Sequence, residues 1–307
     1  MTPLLERVLR SIEARNPVHG KRLAVHLTTL DPAFESELCT VMDRYLLILD
    51  TASGGVDFLV DCYLKFMDDV FAERLEFTRN GRYTSTSFDE VNERVYNNPQ
   101  VMTYYMHGLF LSQLLWHQHY RVYEFFTSVA RRYAPQTKRY LEVGGGHGLY
   151  LRAFCAAAGP DMEVDVVDIS ATSLNLCKAM ADRPTARFIH GDVHKHQGPA
   201  SGYDFITMGE VLEHVEDPVA LLRKLRDLCA PSGHVLVTTP TNAPAIDHIF
   251  LFHDVPHIVD IIKQAGFRVV DEIAVVTEEA PPRKKVVDVK IATLYAALLA
   301  PVEQKLL

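Results

Sequence analysis

The stretch Leu141-Glu142-Val143-Gly144-Gly145-Gly146-His147-Gly148 decides the fold of this chain. It follows an apolar segment, 140–143, that has the pattern of a strand, and it precedes a segment, 149–158, with the spacing of an amphipathic helix. Glycines at such a junction let the backbone turn tightly and let a ligand approach without meeting a Cβ atom. The N–H groups exposed at the start of the helix favour an anionic or strongly polar group. The stretch therefore predicts a ligand site at a strand-to-helix turn.

From Lys138 onward, strand-like and helix-like segments alternate. The predicted strands are Tyr140–Val143, Val164–Asp168, Tyr203–Met208, Val235–Thr239 and Arg268–Val276. The predicted helices between them are Leu149–Ala158, Ser173–Ala181, Pro218–Cys229 and Val255–Ala265. This alternation with short connections predicts an α/β fold with a parallel sheet covered on both faces. The last apolar run, Ile291–Leu299, fits either a closing edge strand or a helix, and Pro281–Lys285 before it predicts a turn with a charged, solvated face.

Residues 1–134 have helical patterns only. Helix starts are indicated at Asp31-Pro32, after Gly54-Gly55, at the capping-box pattern that begins with Ser87, and at Asn98-Pro99, which opens a long apolar and aromatic stretch, 101–133. We therefore expect two domains: an all-helical cap over residues 1–134 and a ligand-binding α/β domain over residues 135–307.

Charge and composition exclude several classes of protein. The 307 residues carry 31 Lys and Arg against 39 Asp and Glu, for a net charge of −8, which disfavours a nucleic-acid-binding surface. No apolar run approaches the length of a membrane span, so we expect a cytoplasmic protein without membrane partners. Five cysteines lie far apart and predict reduced thiols in the core.

The spacing of the glycines narrows the ligand. A dinucleotide fingerprint requires G-x-G-x-x-G, but a motif that started at Gly144 would need its third glycine at Leu149. This mismatch argues against nicotinamide and flavin. The pattern present is acid-x-G-x-G-x-G, formed by Glu142, Gly144, Gly146 and Gly148. In this pattern the chain resembles the class I S-adenosylmethionine-dependent methyltransferases.

Further motifs follow the order of that family across about residues 138–277. They are Val167-Asp168-Ile169-Ser170, Gly191-Asp192-Val193, Gly209-Glu210-Val211-Leu212-Glu213-His214-Val215-Glu216-Asp217-Pro218, and Gly233 through Pro240. The resemblance implies a seven-stranded, mostly parallel, doubly wound Rossmann-like sheet and S-adenosyl-L-methionine as cofactor. It also implies these cofactor-binding residues: Glu142, Gly144, Gly146, Gly148, Asp168, Ile169, Asp192, Val193, Gly209 and Glu210.

The resemblance gives several of these residues a role. Asp168 would accept the ribose hydroxyls, Asp192 would contact the adenine amino group, Val193 would pack on the ring, and Gly209-Glu210 would lie beside the methionine part. Each acid also has a purely structural interpretation. Asp168 fits a helix N-cap and Asp192 an ordinary turn, and Glu142 fits a staple for the glycine-loop N–H groups. His147 is expected either to contact the cofactor carboxylate or to point to solvent.

Methyl transfer needs alignment, exclusion of water and, for a weakly acidic acceptor, a base. Candidate catalytic bases are His119, His214 and His248, with Asp247 as a group that orients His248. The alternative is that these histidines only pack or lie at the surface. No metal site is expected, because His117 and His119 face apart on a helix, and the pairs 194/196 and 253/257 lack a completing carboxylate or cysteine.

An unusual aromatic and histidine-rich segment, Tyr104–Tyr120, leads into the α/β half. Its rings, with Tyr123, fit either the cap core or a cover that holds the sulfonium by cation–π attraction. We expect a methyltransferase for the oxygen, nitrogen or carbon of a small molecule, resembling the ubiquinone-pathway branch and its relatives in secondary metabolism, with a homodimer possible. The Asn-Pro-Pro-Tyr motif of base-methylating enzymes is absent. Two alternatives stay open: a cyclase that resembles the azetidine-2-carboxylate synthases and releases methylthioadenosine, and a non-catalytic cofactor-binding protein.

Overall fold

Eleven helices and seven strands form the described part of the chain in a computed structural model, which covers residues 2–49, 55–277 and 291–302. The helices are α1 (Pro3–Arg15), α2 (Pro17–Leu27), α3 (Pro32–Ile48), α4 (Val56–Asn80), α5 (Phe88–Val91), α6 (Pro99–Leu115), α7 (His117–Tyr133), α8 (Leu149–Ala157), α9 (Ala171–Ala181), α10 (Pro218–Leu228) and α11 (Val255–Gln264). The strands are β1 (Arg139–Val143), β2 (Glu163–Asp168), β3 (Arg187–His190), β4 (Tyr203–Gly209), β5 (Cys229–Thr241), β6 (Phe267–Val276) and β7 (Thr293–Pro301).

The seven strands form one sheet in the order β3-β2-β1-β4-β5-β7-β6. Strands β1 to β5 pair in parallel, and β7 runs antiparallel to both β5 and β6. The predicted mostly parallel, seven-stranded Rossmann-like sheet is confirmed. The chain passes from β3 back across β1 to β4, which opens a crevice at the carboxyl ends of β1 and β4.

Of the two alternatives for the run Ile291–Leu299, the strand is the one observed, as β7 (Thr293–Pro301), but this strand does not close an edge of the sheet. Strand β7 lies inside the sheet, with Thr238 of β5 opposite Ala296 and Ile273 of β6 opposite the same residue. Its residues 294–300 are all buried, as expected for a strand covered on both faces. Strand β6 forms the edge and alternates between buried or half-buried and exposed positions.

The long apolar and aromatic stretch 101–133 forms two helices, α6 and α7. They meet at Trp116, whose backbone is extended (φ −103°, ψ 125°). Helix α6 packs closely on α4. A Cβ atom at position 108 would lie 2.5 Å from Phe66 Cβ, so the close packing requires the glycine found there. Helix α7 packs on α8 through Phe126 and Tyr150, whose ring centres lie 4.4 Å apart. The helical region and the sheet therefore share one continuous core.

Three remaining predictions concern particular segments and residue types. The predicted helix near 88–96 is the short α5 followed by a π-helical turn, Asn92–Tyr96. Of the five cysteines, four are buried and Cys155 is half-buried. The predicted turn and charged face at Pro281–Lys285 lie outside the described residues. Within the described ranges, no helix is long and apolar enough to cross a membrane.

Candidate cofactor and acceptor site

A cavity of about 1660 Å³ lies between the carboxyl ends of β1, β2 and β4 and the helices α2, α4 and α6. Its sheet side contains the glycine loop, Asp168 and the turn at Gly209. Its helical side contains apolar and aromatic residues such as Phe66 and Trp116. Ligands of open α/β sheets bind at this edge. All of the predicted cofactor-binding residues line the cavity except Gly148.

The three glycines of the acid-x-G-x-G-x-G pattern have left-handed backbone conformations but serve different purposes. A Cβ atom at Gly144 would lie 2.6 Å from Val211 Cγ2, and one at Gly148 would lie 2.8 Å from Met180 Cβ. These two glycines are therefore required by packing. At Gly146 (φ +52°) the nearest described atom to a Cβ would be Met106 Sδ, at 3.7 Å. The open space at Gly146 suits the close approach of a cofactor.

Asp168 ends β2 and is buried against the glycine loop. Its Oδ1 accepts a hydrogen bond from Ser170 N (2.8 Å), and its Oδ2 accepts one from Gly146 N (3.2 Å). Burial raises the pKa of this carboxyl to about 6, while the two backbone N–H groups oppose the shift. The N-cap of α9 is Ser170, so the N-cap interpretation of Asp168 is wrong. Asp168 instead ties β2 to the glycine loop and faces the cavity.

Glu142 is buried at the end of β1 and also faces the cavity. The hydroxyl of Tyr140 donates a hydrogen bond to its carboxylate. Burial raises the pKa of Glu142 to about 8, and the negative charge of Asp168 adds to the shift. Among the described residues, the side chain that accepts from a glycine-loop N–H is Asp168, so the staple that was considered for Glu142 belongs to Asp168.

The other predicted cofactor residues complete the sheet side of the cavity. Asp192 caps a turn, because its Oδ1 accepts from His194 N (2.9 Å), and the neighbouring Val193 is buried. Glu210 has a left-handed backbone (φ +53°), and its Oε1 accepts from Thr238 Oγ1 (2.6 Å). Burial raises the pKa of Glu210 well above its usual value. The turn that Glu210 forms thus presents a half-buried carboxyl next to the cavity.

His119 and His147 are both buried on the cavity wall. Nδ1 of His119 pairs with Ser112 Oγ (2.8 Å), and burial lowers the pKa of His119 to about 4. Nδ1 of His147 accepts from Leu149 N (3.3 Å), and burial lowers its pKa to about 3. The expectation that His147 points to solvent is wrong. Both rings are neutral near pH 7.

His214 and His248 lie together on the cavity wall, with ring centres 4.9 Å apart. Nδ1 of His214 donates to the backbone oxygen of Asp247 (2.9 Å), and Nδ1 of His248 donates to that of Ala243 (2.6 Å). The expectation that Asp247 orients His248 is wrong, because Asp247 holds His214 instead. The surface interpretation fails too, since Asp247 and His248 are 2% and 8% exposed. Burial lowers the pKa of His248 to about 4.

The sequence patterns gave no role at this site to Tyr96, Tyr105 or Glu213. The carboxylate of Asp247 accepts from Tyr105 Oη (2.8 Å) and from Tyr96 Oη (3.4 Å), so two cap tyrosines reach the loop after β5. Glu213 is fully buried beside His214 and His248. The adjacent Glu213-His214 pair directly after a strand was the available signal in the sequence.

The comparison with known proteins agrees with this geometry. The sequence profile described as "Methyltransferase domain" matches residues 115–272. A malonyl-[acyl-carrier protein] O-methyltransferase of Halalkalibacterium halodurans is 27% identical over 39% of this chain and 45% of its own length. A ubiquinone biosynthesis O-methyltransferase of Pectobacterium atrosepticum is 33% identical over 33% of this chain and 42% of its own length.

The chain thus spans less than half the length of these curated relatives. A solved structure, that of mitomycin 7-O-methyltransferase, shares the fold with a TM-score of 0.50 at 14% identity, over 77% of this chain and 68% of that one. The profile covers more than half of the 307 residues and includes the glycine loop, Asp168 and the turn at Gly209. This chain belongs to the class I S-adenosylmethionine-dependent methyltransferases, whose cofactor is S-adenosyl-L-methionine.

Proposed function

We propose that this protein methylates an oxygen atom of a small, largely apolar acceptor that is enclosed between the helical region and the sheet. The observation that carries the proposal is the size and continuity of the cavity. Its volume of about 1660 Å³ exceeds the range of about 300–1,000 Å³ that is usual for one small ligand. There is room for the cofactor at the glycine loop and for an acceptor beside the helices.

The sheet side of the cavity suits the cofactor. The Asp168 carboxylate would accept the ribose hydroxyls, Asp192 the adenine amino group, and Val193 would pack on the ring. The backbone at Gly146 is open to a ligand, and Glu142 and Gly209-Glu210 border the same space. When bound, S-adenosylmethionine supplies an activated methyl group for in-line displacement. The chain's own residues then have to align the acceptor, exclude water and take up a proton.

The helical side suits an apolar acceptor. Its lining includes Phe66, Met67, Met102, Leu109 and Trp116, which would bury a ring or an acyl chain and exclude water. Two polar groups, His26 and Gln113, also line it and can orient a substituent. Oxygen is favoured as the accepting atom because the two curated relatives described above are O-methyltransferases. A role in biosynthesis, including secondary metabolism, fits an acceptor of this kind.

A histidine could accept the proton that the acceptor hydroxyl loses during methyl transfer. The acceptor O–H loses its proton as the new O–CH₃ bond forms, and S-adenosylhomocysteine leaves. The candidate bases remain His119, His214 and His248. Burial lowers the pKa of His119 and of His248 to about 4, so both are unprotonated near pH 7 but are weak bases, which suits an acceptor O–H that is itself acidic.

The test is an incubation of the full chain with S-adenosylmethionine and a panel of phenols, carboxylic acids and acyl thioesters, followed by mass spectrometry. We expect S-adenosylhomocysteine and methylated acceptor in equal amounts. Methylthioadenosine with azetidine-2-carboxylate, formed from the cofactor alone, would refute methyl transfer and establish the cyclase. Cofactor binding without either product would leave the non-catalytic alternative.

A pair of variants locates the acceptor. Leu109→Trp narrows the helical side of the cavity and should raise the KM for the acceptor while the affinity for S-adenosylmethionine stays the same. Leu75→Trp, on an exposed position of α4, serves as the matched control and should change neither value. A loss of cofactor affinity in Leu109→Trp alone would contradict the assignment of the two sides.

A further inference from the structure

We propose that Glu213, His214 and His248 bind one divalent transition-metal ion of the zinc type at the wall of the cavity. Each of these residues offers one ligand atom, and the three atoms lie within 4.8 Å of one another. A separate observation also indicates a ligand: Oε1 of Glu213 is buried and accepts no hydrogen bond from any described residue. A buried carboxylate oxygen without a partner is costly unless a cation or a donor reaches it.

The distances suit a shared ion. Oε1 of Glu213 lies 3.6 Å from Nε2 of His214 and 3.9 Å from Nε2 of His248. Ligand atoms at about 2.1 Å from a tetrahedral zinc ion are about 3.4 Å apart, so the two distances from Glu213 to the histidines exceed this spacing by only a few tenths of an ångström. The carboxylate is held in place through its other oxygen, which accepts from Thr239 Oγ1 (2.8 Å).

The hydrogen bonds of the two imidazoles leave their ligand atoms free. Nδ1 of each ring faces a backbone carbonyl, that of Asp247 for His214 and that of Ala243 for His248. Since a carbonyl only accepts, each neutral ring carries its proton on Nδ1 and a lone pair on Nε2. Both Nε2 atoms thus lie close to Oε1 of Glu213. Metal-binding histidines are held in the same way, by a carbonyl on the second nitrogen.

The surroundings add negative charge. The half-buried Glu210 and the buried Asp247 lie near this cluster, and their carboxyls interact with the Glu213 carboxyl. The mixed imidazole and carboxylate donors favour Zn²⁺, Co²⁺ or Mn²⁺ over Mg²⁺ and Ca²⁺, which prefer oxygen ligands alone. Three protein ligands leave a fourth position, and His214 and His248 border the cavity. A role for that position in binding the acceptor oxygen rests on the proposed methyl transfer, whereas binding of the ion does not.

The experiment measures metal binding on the full chain without cofactor or acceptor. After removal of bound metal with dipicolinate, Co²⁺ is titrated and followed by its visible absorption, and Zn²⁺ and then Mg²⁺ are added as competitors. We expect one Co²⁺ per chain, displaced by Zn²⁺ and not by Mg²⁺. Glu213→Gln and His248→Gln should weaken binding by roughly a hundredfold or more, because each removes one of three ligands. His257→Ala is the matched control, since the half-buried His257 stacks on the exposed His253 and belongs to a separate histidine pair.

Three results would overturn the proposal: no Co²⁺ or Zn²⁺ binding by the wild-type chain, unchanged affinity in both ligand variants, or loss of binding in His257→Ala. Thermal unfolding of each variant shows whether it folds. If Glu213→Gln and His248→Gln both fail to fold, two other measurements test the proposal: the Co²⁺ stoichiometry of the wild-type chain and the Co²⁺ affinity of Glu213→Asp. Because Glu213→Asp keeps the carboxylate but shortens the side chain by one methylene group, it has to weaken Co²⁺ binding. Because no methyl transfer is measured, a failure here is distinct from a failure of the proposed function.

Discussion

Replacement of Asp168 by Asn tests the proposed cofactor site most directly. The side chain keeps its size and one oxygen, which can still accept from Ser170 N, but it loses the charge that the ribose hydroxyls would meet. A hydrogen bond to a charged group contributes about 1.5–3 kcal/mol, so the Kd for S-adenosylmethionine should rise roughly 10- to 150-fold. Titration calorimetry on the full chain measures this change.

The pKa of Asp168 adds a second, independent signature. Because burial raises this pKa to about 6, the wild-type carboxyl is mostly ionised at pH 7 and mostly protonated at pH 5. If the cofactor binds the ionised form, affinity should fall by about tenfold from pH 7 to pH 5, in proportion to the ionised fraction. Asp168→Asn has no such titration, so its weaker affinity should stay level over the same range.

The control for this prediction is Asp161→Asn, at an exposed turn before β2, which should bind like the wild-type chain. Thermal unfolding checks that Asp168→Asn is folded, since its new amide meets the N–H of Gly146. A Kd within twofold of the wild-type value, together with an unchanged pH profile, would remove Asp168 from the cofactor site.

Three further predictions address the loop, the buried acid and the helical region. Gly146→Ala should weaken cofactor binding at least tenfold, because its Cβ atom enters the open space left for the cofactor, and should lower stability by about 1–2 kcal/mol, because it strains the left-handed backbone. Gly148→Ala should mainly lower stability, by about 2–4 kcal/mol, because its Cβ atom collides with α9. Calorimetry and urea unfolding distinguish the two, and identical behaviour of both variants would contradict the assignment. Glu142→Gln should flatten the pH dependence of unfolding without cofactor: the pKa of Glu142 is raised to about 8 from 4.5, so its contribution to stability is present below pH 4.5 and is lost as pH rises to 8. Parallel wild-type and variant melting curves over pH 4.5–8 would refute this. Phe126→Ala should cost about 3–5 kcal/mol in urea unfolding, because the ring fills the contact between α7 and α8; a cost below 1 kcal/mol would show that this contact is loose.

The local parts of the site could be predicted from the sequence because strand, turn and helix follow one another within a few residues. The glycine loop and Asp168 are of this kind, and both lie at the cavity. The positions of long-range partners could not be derived in the same way. Strand β7 reads as an apolar run whether it lies inside a sheet or at its edge, and only pairing with β5 and β6 decides between them.

The cluster of Glu213, His214 and His248 shows the same limit. Its ligands follow two different strands, β4 and β5, which pair in parallel, so their carboxyl ends meet at one edge of the sheet. Histidine pairs close in the chain, such as 253 and 257, are visible as a local pattern, whereas His248 lies 34 residues after His214 and 35 after Glu213. Acids and histidines after adjacent parallel strands were the signal that could have found it.

Trp116, where α6 ends and α7 begins, has a practical consequence. It is the only tryptophan in the chain, it borders the cavity, and its indole N–H donates to the hydroxyl of Tyr63 (2.8 Å). Indole emission shifts with the polarity around the ring, so the intrinsic fluorescence of the unlabelled protein has a single origin at the wall of the acceptor side. Candidate acceptors can thus be ranked optically, before any product is identified.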